Sequence, residues 1–116
     1  MEMLSAERPL VDVEIDGHKA VALLDTGASV SMIDKSLVKL WKLRKSGRQV
    51  RVVGMTGREV ECDILDTPIE IGGKKVWQCV ASDLSGVSAS IRRETGYGID
   101  CIIGYKAMRQ AGITIN

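Results

Sequence analysis

A chain of 116 residues with 45% hydrophobic and 27% charged residues has the composition of one folded domain with one core, not of a disordered segment. Its 16 basic and 15 acidic residues nearly cancel, so nothing calls for nucleic acid, and no apolar run of membrane-spanning length or leader-like start is present. Three widely spaced cysteines, Cys62, Cys79 and Cys101, and the single His18 argue against a disulfide framework and against a zinc site; no metal or cofactor is expected, and the thiols suit a reducing compartment.

Residues 1–8 lack periodicity and read as a loose arm. From Leu10, Val11, Val13 and Ile15 alternate with Asp12, Glu14 and Asp16, the pattern of a half-buried strand. Asp16-Gly17 signals a tight hairpin turn, and His18 to Leu24 returns as the partner strand. His18, beside that turn, is expected to be exposed rather than catalytic.

The return strand ends in Leu23-Leu24-Asp25-Thr26-Gly27-Ala28-Ser29. An apolar run buried on both faces delivers one carboxylate to a turn of small residues, an arrangement that often presents a catalytic or binding acid. An Asp-Thr-Gly turn also favours a plain alternative, in which the Asp bonds its own backbone. Beyond it, Val30, Met32 and Ile33 suit a short strand, and Asp34 is placed to cap a brief helical turn through Leu37, Val38 and Trp41.

A second hairpin follows, rising over Gln49 to Val53 and descending over Arg58 to Leu65. Glycines bracket its tip, Gly54-Met55-Thr56-Gly57. Then the chain repeats itself: Val13-Glu14-Ile15-Asp16-Gly17-His18-Lys19-Ala20-Val21 returns as Ile69-Glu70-Ile71-Gly72-Gly73-Lys74-Lys75-Val76-Trp77. Later Cys101-Ile102-Ile103-Gly104 supplies a second apolar run that breaks at a glycine. The chain thus reads as two related halves, with an acid at the break of the first half only. Leu84 to Gly98 has the polar composition of a surface loop. Tyr105 to Ala111 favours helix, stopped by Gly112, and Ile113-Thr114-Ile115-Asn116 alternates as a last strand that needs a partner.

Taken together, these features resemble the retropepsins, the retroviral-type aspartic proteases. Leu23-Leu24-Asp25-Thr26-Gly27-Ala28 is similar to the family's active-site signature, Ile102-Ile103-Gly104 with its helix and closing strand to the second signature, and Val53 to Gly57 falls where the family has its flap. The resemblance spans Pro9 to Asn116 in the family's order. It implies an all-β acid-protease barrel with a flap hairpin and one short C-terminal helix, in a single domain over 1–116. Two family positions differ together: Ser29 stands where many viral members have Asp, and Tyr105, followed by Lys106, where they have the Arg that pairs with it. That places the chain nearer to retrotransposon-like or domesticated members.

The resemblance further implies an aspartic endopeptidase that processes a polyprotein. Since the chemistry needs two carboxylates and the chain carries one such turn, it implies a homodimer with Asp25 from each copy at the twofold axis. Thr26 would hold the two turns together, and Ile113, Thr114, Ile115 and Asn116 would supply the dimer sheet. Leu23, Ala28, Val30, Met32 and Ile102 would line the pockets for a peptide with apolar residues at the cut. The partners are then a second copy and a peptide, with neither nucleic acid nor membrane. Two other readings stay open from sequence: a protease-fold dimer that binds peptides without cutting them, and an unrelated small β-barrel binding domain.

Overall fold

The computed structural model describes residues 2–53 and 57–115. Nine strands form one sheet: β1 (Leu10–Ile15), β2 (His18–Asp25), β3 (Met32–Asp34), β4 (Lys45–Val53), β5 (Glu59–Leu65), β6 (Ile69–Ile71), β7 (Lys74–Val76), β8 (Val80–Ser82) and β9 (Cys101–Gly104). Three helices join them: α1 (Lys35–Leu40), α2 (Ser85–Thr95) and α3 (Tyr105–Ala111). The lateral order is β4-β5-β8-β3-β9-β2-β1-β6-β7, and among the described residues no ladder joins β4 to β7. The expected barrel is therefore a continuous sheet whose two ends are not hydrogen-bonded to each other.

The alternation in β1 does what it predicts, with Val11, Val13 and Ile15 buried and Asp12 and Glu14 exposed. Asp16 and Gly17 take φ of 50° and 81°, and Gly72 and Gly73 take 54° and 78°. Both hairpins of the internal repeat thus turn through two successive positive-φ residues, the turn whose twist matches antiparallel strands.

At the centre, β2 and β9 run parallel, pairing Leu23 with Ile102, Leu24 with Ile103 and Asp25 with Gly104. This pair separates two cores. On one face Ala20, Ala22, Leu24, Cys101 and Ile103 join the large core, closed over by Val38 of α1 and Met108 of α3. On the other, Leu23 and Ile102 meet Leu10, Leu84, Ile91 and Ile99.

The second core explains the main departure from the sequence expectation. The segment from Leu84 to Gly98 is not a surface loop, because Ser85–Thr95 forms α2, whereas α1 and α3 fall where the sequence predicts a helical turn after Asp34 and a C-terminal helix. A strand that is apolar on both faces needs a cover on each, and α2 covers Leu23 and Ile102 with Leu84, Val87 and Ile91. The carboxylates of Asp34 and Asp83 start the helix, Asp34 Oδ1 accepting from Leu84 N at 3.0 Å and Asp83 Oδ1 from Ser85 N at 3.0 Å. Asp34 thus serves α2 rather than capping the backbone of α1, where it makes no side-chain cap bond.

Two terminal expectations also change. Residues 2–8 form no regular element but are not loose: Leu4 N donates to Leu10 O at 2.8 Å, Met3 packs against the large core and Leu4 against the small one. Arg8 pairs with Glu94 of α2 at 3.1 Å. Residues 113–115 form no strand; Ile113 instead packs on the large core, its N–H donating to Met108 O at 2.8 Å. Asn116 lies outside the described residues. His18 is exposed and stacks flat on Trp41, with ring centroids 4.4 Å apart.

Because Ile91 is 4% exposed and anchors α2, Ile91→Ala should destabilise the fold by about 2–5 kcal/mol in urea unfolding, the usual range for emptying such a site. A loss no larger than that of a surface substitution, about 0.5 kcal/mol, would mean that α2 does not cover a core.

Candidate active site

Strand β2 is held in the sheet interior up to Leu24, and Asp25 is its last residue, half-buried where the chain leaves the core. The turn beyond is open: Thr26, Gly27 and Ser29 are exposed and Ala28 is half-buried. Asp25 Oδ1 accepts from Gly27 N at 2.9 Å, and Asp25 O accepts from Ala28 N at 3.2 Å. The turn therefore makes the local bond expected of Asp-Thr-Gly, with one carboxylate oxygen only. Oδ2 has no hydrogen-bond partner among the described residues. The self-bond fixes the rotamer and leaves an oxygen available to solvent or substrate.

The turn is locked from beneath by the end of β9. Ala28 O accepts from Tyr105 N at 2.9 Å, and the hydroxyl of Ser31, 5% exposed, accepts from Gly104 N at 3.0 Å. A Cβ on Gly104 would lie 2.7 Å from Ala28 O and 3.2 Å from the Val30 backbone, so only glycine permits this crossing. Gly27 is also confined, since a Cβ there would lie 3.3 Å from Asp25 Oδ1. Sequence reasoning singled out Gly27 and Gly104 but not Ser31. The signal for Ser31 was a single polar residue between Val30 and Met32 on the approach to a strand.

The other sequence-selected residues lie in three places. Leu23 and Ile102 are buried beneath α2, and Ala28 and Met32 pack on the edge of that same core. Val30 is half-buried and opens on the opposite side, toward a cleft bounded by α3 and the sheet ends. Val53 and Gly57 flank the tip of the β4–β5 hairpin, and Gly54, Met55 and Thr56 lie outside the described residues. Ser29 and Tyr105, at the two departures from the viral pattern, are exposed and half-buried, with no ion pair at either.

Other chemistry has little to work with. Among the described residues no three His, Cys, Asp or Glu side chains gather as a metal-holding group. All three thiols are free and buried, and burial pushes Cys79 up to about 12 and raises Cys62 and Cys101, so none is a thiolate nucleophile at neutral pH. Asp25 is a half-buried acid on a constrained turn.

A family model described as aspartyl protease matches residues 11–107, which takes in β1 from Val11, the whole Asp25 turn, Ser31 and Gly104. The chain belongs to the aspartyl protease family, of retropepsin-like type. A search of curated proteins returned no match. The matched segment includes both strand ends that cross at the Asp25 turn.

Two substitutions test the lock beneath the turn. Ser31→Ala leaves the buried Gly104 N–H without an acceptor and should cost about 1–3 kcal/mol. Gly104→Ala forces backbone apart and should cost at least about 1–3 kcal/mol. Urea unfolding measures both, and variants as stable as the wild type would show that the crossing does not constrain the turn.

Proposed function

We propose that the protease is a homodimeric aspartic endopeptidase of the retropepsin type, with one Asp25 from each chain forming a shared catalytic pair. The observation that carries this reading is the register of the central strands. Asp25 ends β2 beside Gly104, the end of β9, so the neighbouring break of the sheet supplies no second acid. Acid-protease chemistry uses two carboxylates, one taking a proton from the attacking water and the other giving one to the substrate carbonyl oxygen. A second copy about a twofold axis supplies the missing group and makes each contact self-complementary.

Other features support the same reading. The two hairpins that each turn through two successive positive-φ residues, and the two apolar strands that end side by side at Asp25 and Gly104, suit a chain made of two related halves. Thr26 is exposed at the turn and free to meet its mate. Thr114 and Ile115 are exposed and in no strand among the described residues, suited to a sheet completed by the partner. The β4–β5 hairpin suits a flap: β5 joins the rest of the sheet near its base, where Ile64 pairs with Val80 and Leu65 N donates to Cys79 O at 2.8 Å, while Val50–Val53 and Glu59–Cys62 pair with each other. Such an arm can close over a peptide and exclude water. Ala28, Val30 and Met32 lie nearest the turn in sequence and supply apolar contacts there, while Leu23 and Ile102 support them from below. By its resemblance to the retropepsins, the substrate is a polyprotein that contains such peptide sites.

Asp25→Asn should abolish peptide cleavage and leave the fold unchanged by circular dichroism, because Asn keeps the shape but cannot carry the proton. Specific activity should fall on dilution, and activity should follow a bell in pH, since one carboxylate must be charged while its mate is protonated. Undiminished cleavage by Asp25→Asn would refute the mechanism. Specific activity unchanged down to great dilution would refute the shared site.

A further inference from the structure

The sheet's two ends, not joined to each other, approach across a cleft of about 840 Å³, with Val50 of β4 on one wall, β7 on another and α3 along its side. Ser29 and Val30 are among its lining residues, so it adjoins the Asp25 turn. Its charge is one-sided. Lys74, Lys75, Lys106 and Arg109 line it with no Asp or Glu among the lining residues, in a chain whose charges otherwise nearly balance. Lys74 is engaged with the carbonyl of Ala111 at the end of α3. Lys75, Lys106 and Arg109 form no ion pair among the described residues, although Glu70 lies across the ladder from Lys75. Trp77 stands at the cleft 49% exposed, an unusually large apolar surface to leave in water.

Lysines on an edge strand commonly serve only to prevent sheet-to-sheet association, which would account for Lys75. It does not account for Lys106 and Arg109, which come from a helix and line the same opening. We propose that this cleft binds an acidic side chain of the substrate peptide, set beyond the apolar residues at the cut, with Lys106, Arg109 and Lys75 as the specificity-determining cations and Trp77 as the platform for the adjoining peptide. The inference rests on the peptidase reading for the peptide's path: a chain leaving Asp25 along Ser29 and Val30 enters the basic opening. Continuity with that turn, together with the apolar walls of Val50, Val76 and Val80, favours a peptide over a nucleic acid strand.

The test uses short peptides with an apolar centre, each outer position carrying Glu or Gln, with two readouts. Cleavage gives kcat/KM for each pair, and binding to the Asp25→Asn chain, followed by tryptophan fluorescence, is read without cleavage. At one side of the cut, Glu should be preferred over Gln by about fivefold, expressed in KM and in binding, as expected for one or two exposed ion pairs. The preference should vanish near 1 M salt, where screening acts within about 3 Å. In Lys106→Glu, which leaves Lys75 and Arg109 in place, the Glu preference should shrink toward unity while cleavage of the Gln peptides is unchanged, which mere loss of structure would not produce. Cleavage with no Glu preference at any position overturns the inference and leaves the peptidase reading intact. Binding that prefers Glu without any cleavage by the wild type overturns the peptidase reading and retains the acidic subsite. Tighter binding of a single-stranded RNA octamer than of every Glu peptide overturns the inference in favour of nucleic acid.

Discussion

The crossing of Gly104 beneath the Asp25 turn is the constraint on which the rest of the structure depends. Because Gly104 has no side chain, the end of β9 approaches so closely that an added Cβ would lie 2.7 Å from Ala28 O, and the Ser31 hydroxyl then satisfies Gly104 N. A carboxylate at a strand end would ordinarily sit on a mobile loop. Here it sits on a turn bonded to itself, to the strand below and to the first residue of α3. In the proposed role of Asp25, rigidity of this kind would hold the carboxylate in place before substrate arrives.

The same central strands dictate the layers around them. Strands β2 and β9 bury apolar residues on both faces, so two covers are required, and each cover places something useful near the turn. On the large-core side, α3 brings Lys106 and Arg109 to the cleft beside Ser29 and Val30. On the small-core side, α2 seals Leu23 and Ile102 from solvent and stiffens the floor of the site. The sheet ends left open by this arrangement form the basic cleft, so the incomplete closure of the barrel and the suggested selectivity have one origin.

Much of this was legible in the sequence because local chemistry and tertiary role coincide. The alternation of Val11, Val13 and Ile15 names its buried face, Asp16-Gly17 and Gly72-Gly73 name their turns, and the apolar run into Asp25 names a buried strand with an acid at its end. The segment from Ser85 to Thr95 was misread because serines and a glycine mask its helix. Its apolar spacing of Leu84, Val87 and Ile91 is one helical face, and the two acids that start it, Asp34 and Asp83, act through bonds of which one is remote in sequence. Ser31 was overlooked because its value lies in a contact with a residue 73 positions away. The terminal residues 113–115 alternate as a strand should, yet a strand exists only where another backbone lies alongside it.

The central claim is that each active site takes one carboxylate from each of two chains. Mixing wild-type protein with the Asp25→Asn chain, at constant total concentration and after time for subunits to exchange, tests it directly. If both carboxylates are needed in one shared site, peptide-cleaving activity falls with the square of the wild-type fraction. Activity that falls only in direct proportion to that fraction would show that each chain cuts alone, and would contradict the account.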